Sequence, residues 1–166
     1  MKSIIIDTKH LHLRLLRHDD LNHIAKLHGD PEVRRFFPDG TQNIEQTNAR
    51  MDSLIAFYQE QGLPNFVMFL KESMEFVGRC GFGSIETGEV EVGYLLHKKF
   101  WGKGYASEVL AALLEWSKNN IKRDYIIAFA PIDHVASHRV MQKCGMQIYK
   151  KDIGHGVMCH FYRMKF

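Results

Sequence analysis

Gly102 and Gly104 stand one residue apart in the run Trp101-Gly102-Lys103-Gly104-Tyr105-Ala106-Ser107. The run separates an apolar stretch, Val90 to Leu96, from a segment with helical spacing between Glu108 and Asn119. A strand that passes through a glycine turn into a helix N-terminus gathers several backbone N–H groups at one point, and the helix dipole adds positive potential there. The chemistry on offer is anion recognition. A diphosphate is the natural guest, because it reaches backbone donors only where Cβ atoms are absent or small. Ala106 keeps a third approach position small. The dinucleotide fingerprint would need its third glycine at Ser107, and a P-loop would end in Gly-Lys-Ser/Thr, so neither pattern applies. A glycine turn that merely joins strand to helix is the plain alternative. Two carboxylates just upstream, Glu89 and Glu91, share one strand face, a placement suited to proton removal or to pairing with a basic side chain such as Arg79.

These residues need a frame. His10 to Leu15 alternates polar with apolar and reads as a first strand. Asp19 or Asp20 caps a short helix through His28, with Leu21, Ile24, Ala25 and Leu27 inward. Gly29-Asp30-Pro31 ends that helix and starts another, Pro31 at its first position and Val33, Phe36 and Phe37 on its apolar face. From Ile44 to Gln61 the spacing of Ile44, Thr47, Met51, Leu54, Ile55 and Tyr58 predicts a long helix. Phe66 to Lys71 and Phe76 to Gly83 form an antiparallel hairpin, loosened at its end by Gly81 and Gly83, and Thr87-Gly88 turns the chain into the central strand. Gly93 within that strand marks a bulge or a close backbone contact. Beyond the glycine loop, Ala106, Val109, Leu110, Leu113, Leu114 and Trp116 make a buried stripe. Tyr125 to Ala130 is a buried strand, parallel to the central one if the crossover is the usual kind. A short helix from about Val135 to Cys144 and a hairpin, Gln147 to Ile153 with Met158 to Lys165, close the chain. The expected architecture is a single α/β domain over residues 1–166, with a mixed, mostly antiparallel sheet of about six to seven strands flanked by helices.

At 166 residues the chain can bury a substantial core. Its 22 basic against 19 acidic residues give a net charge of only +3. The basic pairs Arg34-Arg35, Lys98-Lys99, Lys122-Arg123 and Lys150-Lys151 are scattered, so nucleic acid is not an expected partner. Three cysteines, Cys80, Cys144 and Cys159, are odd in number and lack CxxC spacing, which points to reduced thiols. Among ten histidines, His10 with His12 and His155 with Cys159 and His160 are close, but neither set completes a zinc site, and no metal is expected. His18, His23 and His28 read as the solvated side of a helix. The apolar run before Asp7 is too short for a signal peptide or a membrane span, so a cytoplasmic location is expected.

The runs Glu91-Val-Gly-Tyr-Leu-Leu and Phe100-Trp-Gly-Lys-Gly-Tyr-Ala-Ser-Glu resemble motif A of the GNAT N-acetyltransferases, in their RimJ/RimL-like branch. Trp101 stands where the wider superfamily has Arg or Gln. The opening stretch, Leu13 through Phe37, is similar to the start of the same branch. A second motif, His134-Val-Ala-Ser137-His-Arg-Val-Met141-Gln-Lys-Cys-Gly145-Met146, resembles the family's motif B, with His134 in place of asparagine and Met146 in place of phenylalanine. The resemblance implies acetyl-CoA as acetyl donor, with its diphosphate on Trp101, Gly102, Lys103, Gly104, Tyr105, Ala106 and Ser107. It also implies a bulge at the central strand that splays it from its parallel neighbour, leaving a slot for pantetheine lined by Tyr94, Leu95 and Leu96. His134 would touch the pantetheine arm, because imidazole both donates and accepts.

Acetyl transfer to an amine requires that a proton leave the amine, that the thioester carbonyl be held, and that the thiolate be protonated. Glu91 is the first choice for the base and Glu89 the second. A freed N–H around Leu95 would hold the carbonyl oxygen. Where many relatives carry a tyrosine this chain has Met141, so Ser137, four residues earlier on the same helix face, is the candidate proton donor. A plain helix-cap role is the alternative for Ser137. By resemblance the helices before the hairpin border the acceptor groove, where Phe37 or Tyr58 would touch the acceptor. The resemblance to the RimJ/RimL-like branch implies a protein or peptide N-terminal α-amine as acceptor; a small amine such as a polyamine or aminoglycoside, and a non-catalytic acyl-CoA-binding module, are the alternatives. The chain is expected to be a monomer or homodimer.

Overall fold

The computed structural model describes residues 3–166. β1 (Ile5–Asp7) and β2 (Leu11–Leu15) lead through a 3-10 turn into α1 (Leu21–His28), and α2 spans Ile44–Gln61. β3 (Asn65–Leu70), β4 (Phe76–Ser84) and β5 (Val90–Leu96) follow. Then come α3 (Tyr105–Asn120), β6 (Tyr125–Pro131), α4 (Val135–Lys143), β7 (Gln147–Gly154) and β8 (Val157–Lys165). The eight strands form one sheet in the order β1-β2-β3-β4-β5-β6-β8-β7. All neighbours are antiparallel except β5 and β6, which are parallel and in register only at Glu91 and Ile127.

Both faces of the sheet carry a core. Val109, Leu110 and Leu113 of α3 pack with Phe66, Met68, Phe82, Val90 and Val92 on one face. On the other, Ile24 and Leu27 of α1 and Met51 and Leu54 of α2 pack with Val67, Phe69 and Phe76. The alternation of β3 explains the division: Phe66 and Met68 point one way, Val67 and Phe69 the other. α2 starts at a capping box in which Asn43 and Gln46 exchange hydrogen bonds, and it stops at Gly62 in a left-handed conformation.

Four expectations change. The apolar run before Asp7 forms an edge strand, β1, paired with β2, which raises the strand count to eight. Pro31 to Phe36 makes successive turns rather than a helix. Only Val33 and Arg34 of that segment are buried, so it lacks the apolar face that would hold a helix in place. Gly81 does not loosen β4: a Cβ there would lie 2.6 Å from Asn65 Cα and Pro64 O, so the glycine permits β3 to approach. His28 is fully buried rather than solvated, unlike the exposed His18 and His23.

Candidate active site

The glycine loop ends at Gly104, the N-cap of α3. Gly102 and Gly104 hold φ of +72° and +83°, and a Cβ at either would meet nothing within 4 Å. Conformation therefore demands glycine at both, and the space above them is open. Trp101 is half exposed, with its indole N–H donating to Leu96 O at 2.9 Å, which ties the loop to the end of β5. Tyr105, Ala106 and Ser107 form the first turn of α3, and the Cys144 thiol donates to Ser107 O at 3.3 Å, fastening α4 to that turn. Lys103 is exposed beside them. Glu108, also in this turn, would repel a phosphate. Its carboxylate is instead turned away, accepting from Thr8 Oγ at 2.5 Å and from the His10 backbone N–H at 2.6 Å, with His10 Nδ1 2.8 Å from its other oxygen. Burial opposes ionisation of Glu108, but the hydrogen bonds from Thr8 and His10 outweigh it and hold the pKa below the usual carboxylate value.

Beyond Glu91, β5 and β6 part. The β4–β5 ladder runs from Ser84–Val90 to Gly78–Leu96 without a register shift, so the expected bulge at Gly93 is not what separates them. Divergence of β6 alone opens the gap. The backbone bonds His97 N–H to Val77 O and Ile85 N–H to Glu89 O show that odd-numbered residues of this segment face β4. By alternation the Leu95 N–H is committed to β4, and the N–H groups of Tyr94 and Leu96 face the gap. They, rather than Leu95, are placed to receive a carbonyl oxygen.

Across the gap the Tyr94 hydroxyl lies 3.0 Å from Ser137 Oγ in the first turn of α4. Burial pushes the Tyr94 phenol up to about 12, so it keeps its proton at neutral pH. Met141, one turn on, is buried in the core. His134 stacks on Phe36 with ring centroids 3.9 Å apart, and its Nδ1 is buried without a partner among the described residues. Burial and the neighbouring His138 push its pKa down to about 4, leaving a neutral ring whose Nδ1 is sealed from solvent and whose Nε2, neither sealed nor bonded among the described residues, can meet a partner. Of the expected slot residues, Leu95 packs on the α1–α2 side and Leu96 is buried in the α3 core.

Glu91 lies on the opposite face from α3. Its Oε1 is 3.5 Å from Nε2 of His155 in the β7–β8 turn. The hydrogen bond to Glu91, against a smaller cost of burial, raises the His155 pKa. Glu89 is otherwise engaged: Thr87, Tyr125 and Tyr149 all donate to it, at 2.7, 2.8 and 3.4 Å. Burial works against ionisation there, but the Thr87 and Tyr125 bonds prevail and hold its pKa below the usual value. Glu91 is thus the freer carboxylate and the one beside the gap. Neither pairs with Arg79, whose Nε donates to His28. Phe36 and Phe37 line a shallow groove of about 360 Å³ with Pro131 and Ile132, whereas Tyr58 lines a separate hollow with Leu15 and Leu54.

Sequence reasoning missed three features. In the sequence Tyr94 stands out only as slot lining, because nothing in its spacing from Ser137 shows that the two hydroxyls meet. His155 sits in a hairpin turn with no motif to mark it. The Arg79–His28 contact joins residues 51 apart in sequence.

Comparison with known proteins follows the same lines. A family model for the acetyltransferase (GNAT) domain matches residues 10–147. An uncharacterized N-acetyltransferase, p20, of Bacillus licheniformis is 30% identical over 144 residues, 84% of this chain and 80% of that protein. A GNAT-family acetyltransferase from Bacillus anthracis superposes with a TM-score of 0.82 at 24% identity, over 98% of each chain. The RimL ribosomal alpha-N-protein acetyltransferase, solved with coenzyme A, does so with a TM-score of 0.83 at 18% identity, over 98% of each chain. The last two likenesses speak to the fold. The family match across most of its length and the identity with p20 show that this chain belongs to the GNAT N-acetyltransferases, which draw their acetyl group from acetyl-CoA.

Proposed function

We propose that this chain acetylates the α-amine of a protein or peptide N-terminus, by direct attack of the amine on acetyl-CoA in a ternary complex. The observation that carries the reading is the gap beside β5, with Glu91 and His155 on one face and the Tyr94–Ser137 pair on the other. The bare, left-handed glycines fit a diphosphate, and the unsealed Nε2 of His134 fits an amide-bearing arm. Acetyl-CoA supplies the acetyl group as a thioester. Glu91 accepts the proton that the attacking amine must lose, directly or through water, with His155 steadying its charge. The Tyr94 or Leu96 N–H receives the negative charge that develops on the carbonyl oxygen. The Tyr94 hydroxyl and Ser137 Oγ share a hydrogen bond that either can donate; with Tyr94 as donor, the serine proton passes to the departing thiolate while the serine oxygen takes the Tyr94 proton, which solvent then restores. An α-amine, with a reference pKa near ~8, needs less help from the base than a lysine near ~10.4. The likeness to RimL, an alpha-N-protein acetyltransferase, favours the same acceptor.

Thiol release from acetyl-CoA across unmodified peptides, polyamines and aminoglycosides tests the reading. Peptides with free N-termini are expected to turn over at least about tenfold faster than the others, with release abolished by N-terminal blocking. Preference for a polyamine or aminoglycoside assigns a small-amine acceptor instead. Tight binding of coenzyme A without turnover of any amine assigns a non-catalytic acyl-CoA-binding module.

A further inference from the structure

Among the described residues, Arg79 is a guanidinium without a counter-ion. It stands on β4 in register with Leu95, on the sheet face that carries Glu91. Its Nε donates to His28 Nε2 at 2.7 Å, and its two Nη nitrogens make no hydrogen bond among the described residues. Neither is a sealed, unpartnered atom, so both open onto accessible space. No carboxylate of the described residues lies within 4.0 Å of it.

The surroundings deepen the imbalance. His28 is fully buried and bonded through Nδ1 to Gln42 at 2.9 Å, so its Nε2 is an acceptor and its ring neutral. Burial and the charge of Arg79 push its pKa down to about 3. Arg34 is also buried, but Asp39 neutralises it at 2.7 Å. Arg50 of α2 adds positive charge without a carboxylate partner among the described residues. Burial, then Arg50 and Arg34, pushes Arg79 itself down to about 10. A half-buried cation among cations is costly to keep unless something outside the chain completes it.

The floor beside Arg79 is bare. Between the Arg79–Leu95 rung and the Gly83–Glu91 rung lies only the pair Gly81–Gly93, and a Cβ at Gly93 would meet nothing within 4 Å. The backbone span from Arg79 to Gly83, which faces Glu91, is roughly 13 Å, four residues at the rise of a strand, and the two side chains shorten it enough for the charges of Arg79 and Glu91 to be felt by one another. An acceptor lying along it would present one end to Glu91 and the gap, the other to Arg79.

We propose that the acceptor carries a carboxylate near its reactive amine, and that Arg79 binds that carboxylate across the glycine floor. The two free Nη groups match the planar fork of a carboxylate. A polycationic amine would meet unpaired arginines at the same place and be repelled. The carboxylate is either that of a free amino acid or an acidic side chain early in a peptide. The inference rests on the acetyl-transfer reading for the location of the amine, but its test does not need turnover.

Calorimetric titration of the coenzyme A-saturated protein with acetylated products separates the cases. N-acetylphenylalanine is compared with its carboxamide, and N-acetyl-Asp-Ala-amide with N-acetyl-Asn-Ala-amide. One carboxylate of these two pairs is expected to bind at least about tenfold tighter than its neutral partner, and which pair responds identifies the source. Arg79→Gln reduces that advantage below about threefold, Arg79→Lys restores part of it, and the exposed Arg50→Gln, which leaves the buried interior intact, lowers it as well. Equal binding within both pairs, or an advantage that survives Arg79→Gln in protein still stabilised by coenzyme A, overturns the proposal. Thiol release from the unacetylated counterparts is followed in parallel. A carboxylate preference without turnover defeats acetyl transfer and leaves the anion site standing, whereas brisk turnover of neutral acceptors with no preference does the reverse.

Discussion

Glu91 and Glu89 differ by two positions in sequence and share one strand face, yet their surroundings separate them. Three hydroxyls occupy Glu89, while Glu91 has one exposed neighbour, His155. Glu91→Gln should lower kcat by about 10²- to 10³-fold, the range of a positioned base, while leaving the KM for acetyl-CoA within about twofold. The same change removes the group that raises the His155 pKa. In wild type the pairing is complete below the ordinary histidine value and fades as pH rises through the raised one; in the variant, NMR titration of His155 should shift to lower pH. Tyr94→Phe should cost roughly 3- to 10-fold in kcat by freeing the Ser137 hydroxyl to turn elsewhere. In a Ser137→Ala background the tyrosine change should then add almost nothing, which steady-state rates of the double mutant will show.

Among the elements, the glycine loop and α3 were legible in the sequence because their cues are local: two glycines at positions that demand positive φ, then apolar residues at helical steps. The sheet-wide pairings were less so. β1 is only three residues long and owes its conformation to β2, a contact that no local pattern encodes. The stretch from Pro31 to Phe36 has a good helix start, yet α1 and α2 leave it too little surface to bury, and turns prevail. The β5–β6 gap arises from how β6 diverges, a property of the assembled sheet. Glycine in β5 suggests an inserted residue there, whereas the ladder with β4 is regular and the N–H groups on either side of Leu95 are the ones that face the gap. At the loop, Gly104→Val forces a branched residue into φ of +83°, at about 1–2 kcal/mol, and puts bulk where backbone donors face outward. Melting curves should show a folded protein whose Tm no longer rises with coenzyme A. Undiminished stabilisation would place the diphosphate elsewhere.

At the scale of the whole molecule, the first strands are joined to the helix that follows the loop. Glu108 receives the Thr8 hydroxyl and the His10 amide, so the β1–β2 turn is held against the N-terminus of α3 across about a hundred residues of chain. Glu108→Gln should lower stability by about 1–2 kcal/mol, or roughly 2–8 °C in Tm. The sign of its pH dependence follows from the lowered pKa. The contribution is present above the unfolded value near ~4.3 and is lost as pH falls through the folded one. The gap between wild-type and variant melting temperatures should therefore narrow in acid.

Trp101 gives the molecule a built-in optical gauge. Its indole is 45% exposed and rests on the last carbonyl of the central strand, whereas Trp116 is packed against Phe66 and Phe82. A guest seating itself in the loop must change the light emitted by the first ring and leave the second dark to the event. Titrating coenzyme A into Trp116→Phe should thus shift the emission maximum, and Trp101→Phe should silence that response, so occupancy of the donor side can be followed without any acetyl group being moved.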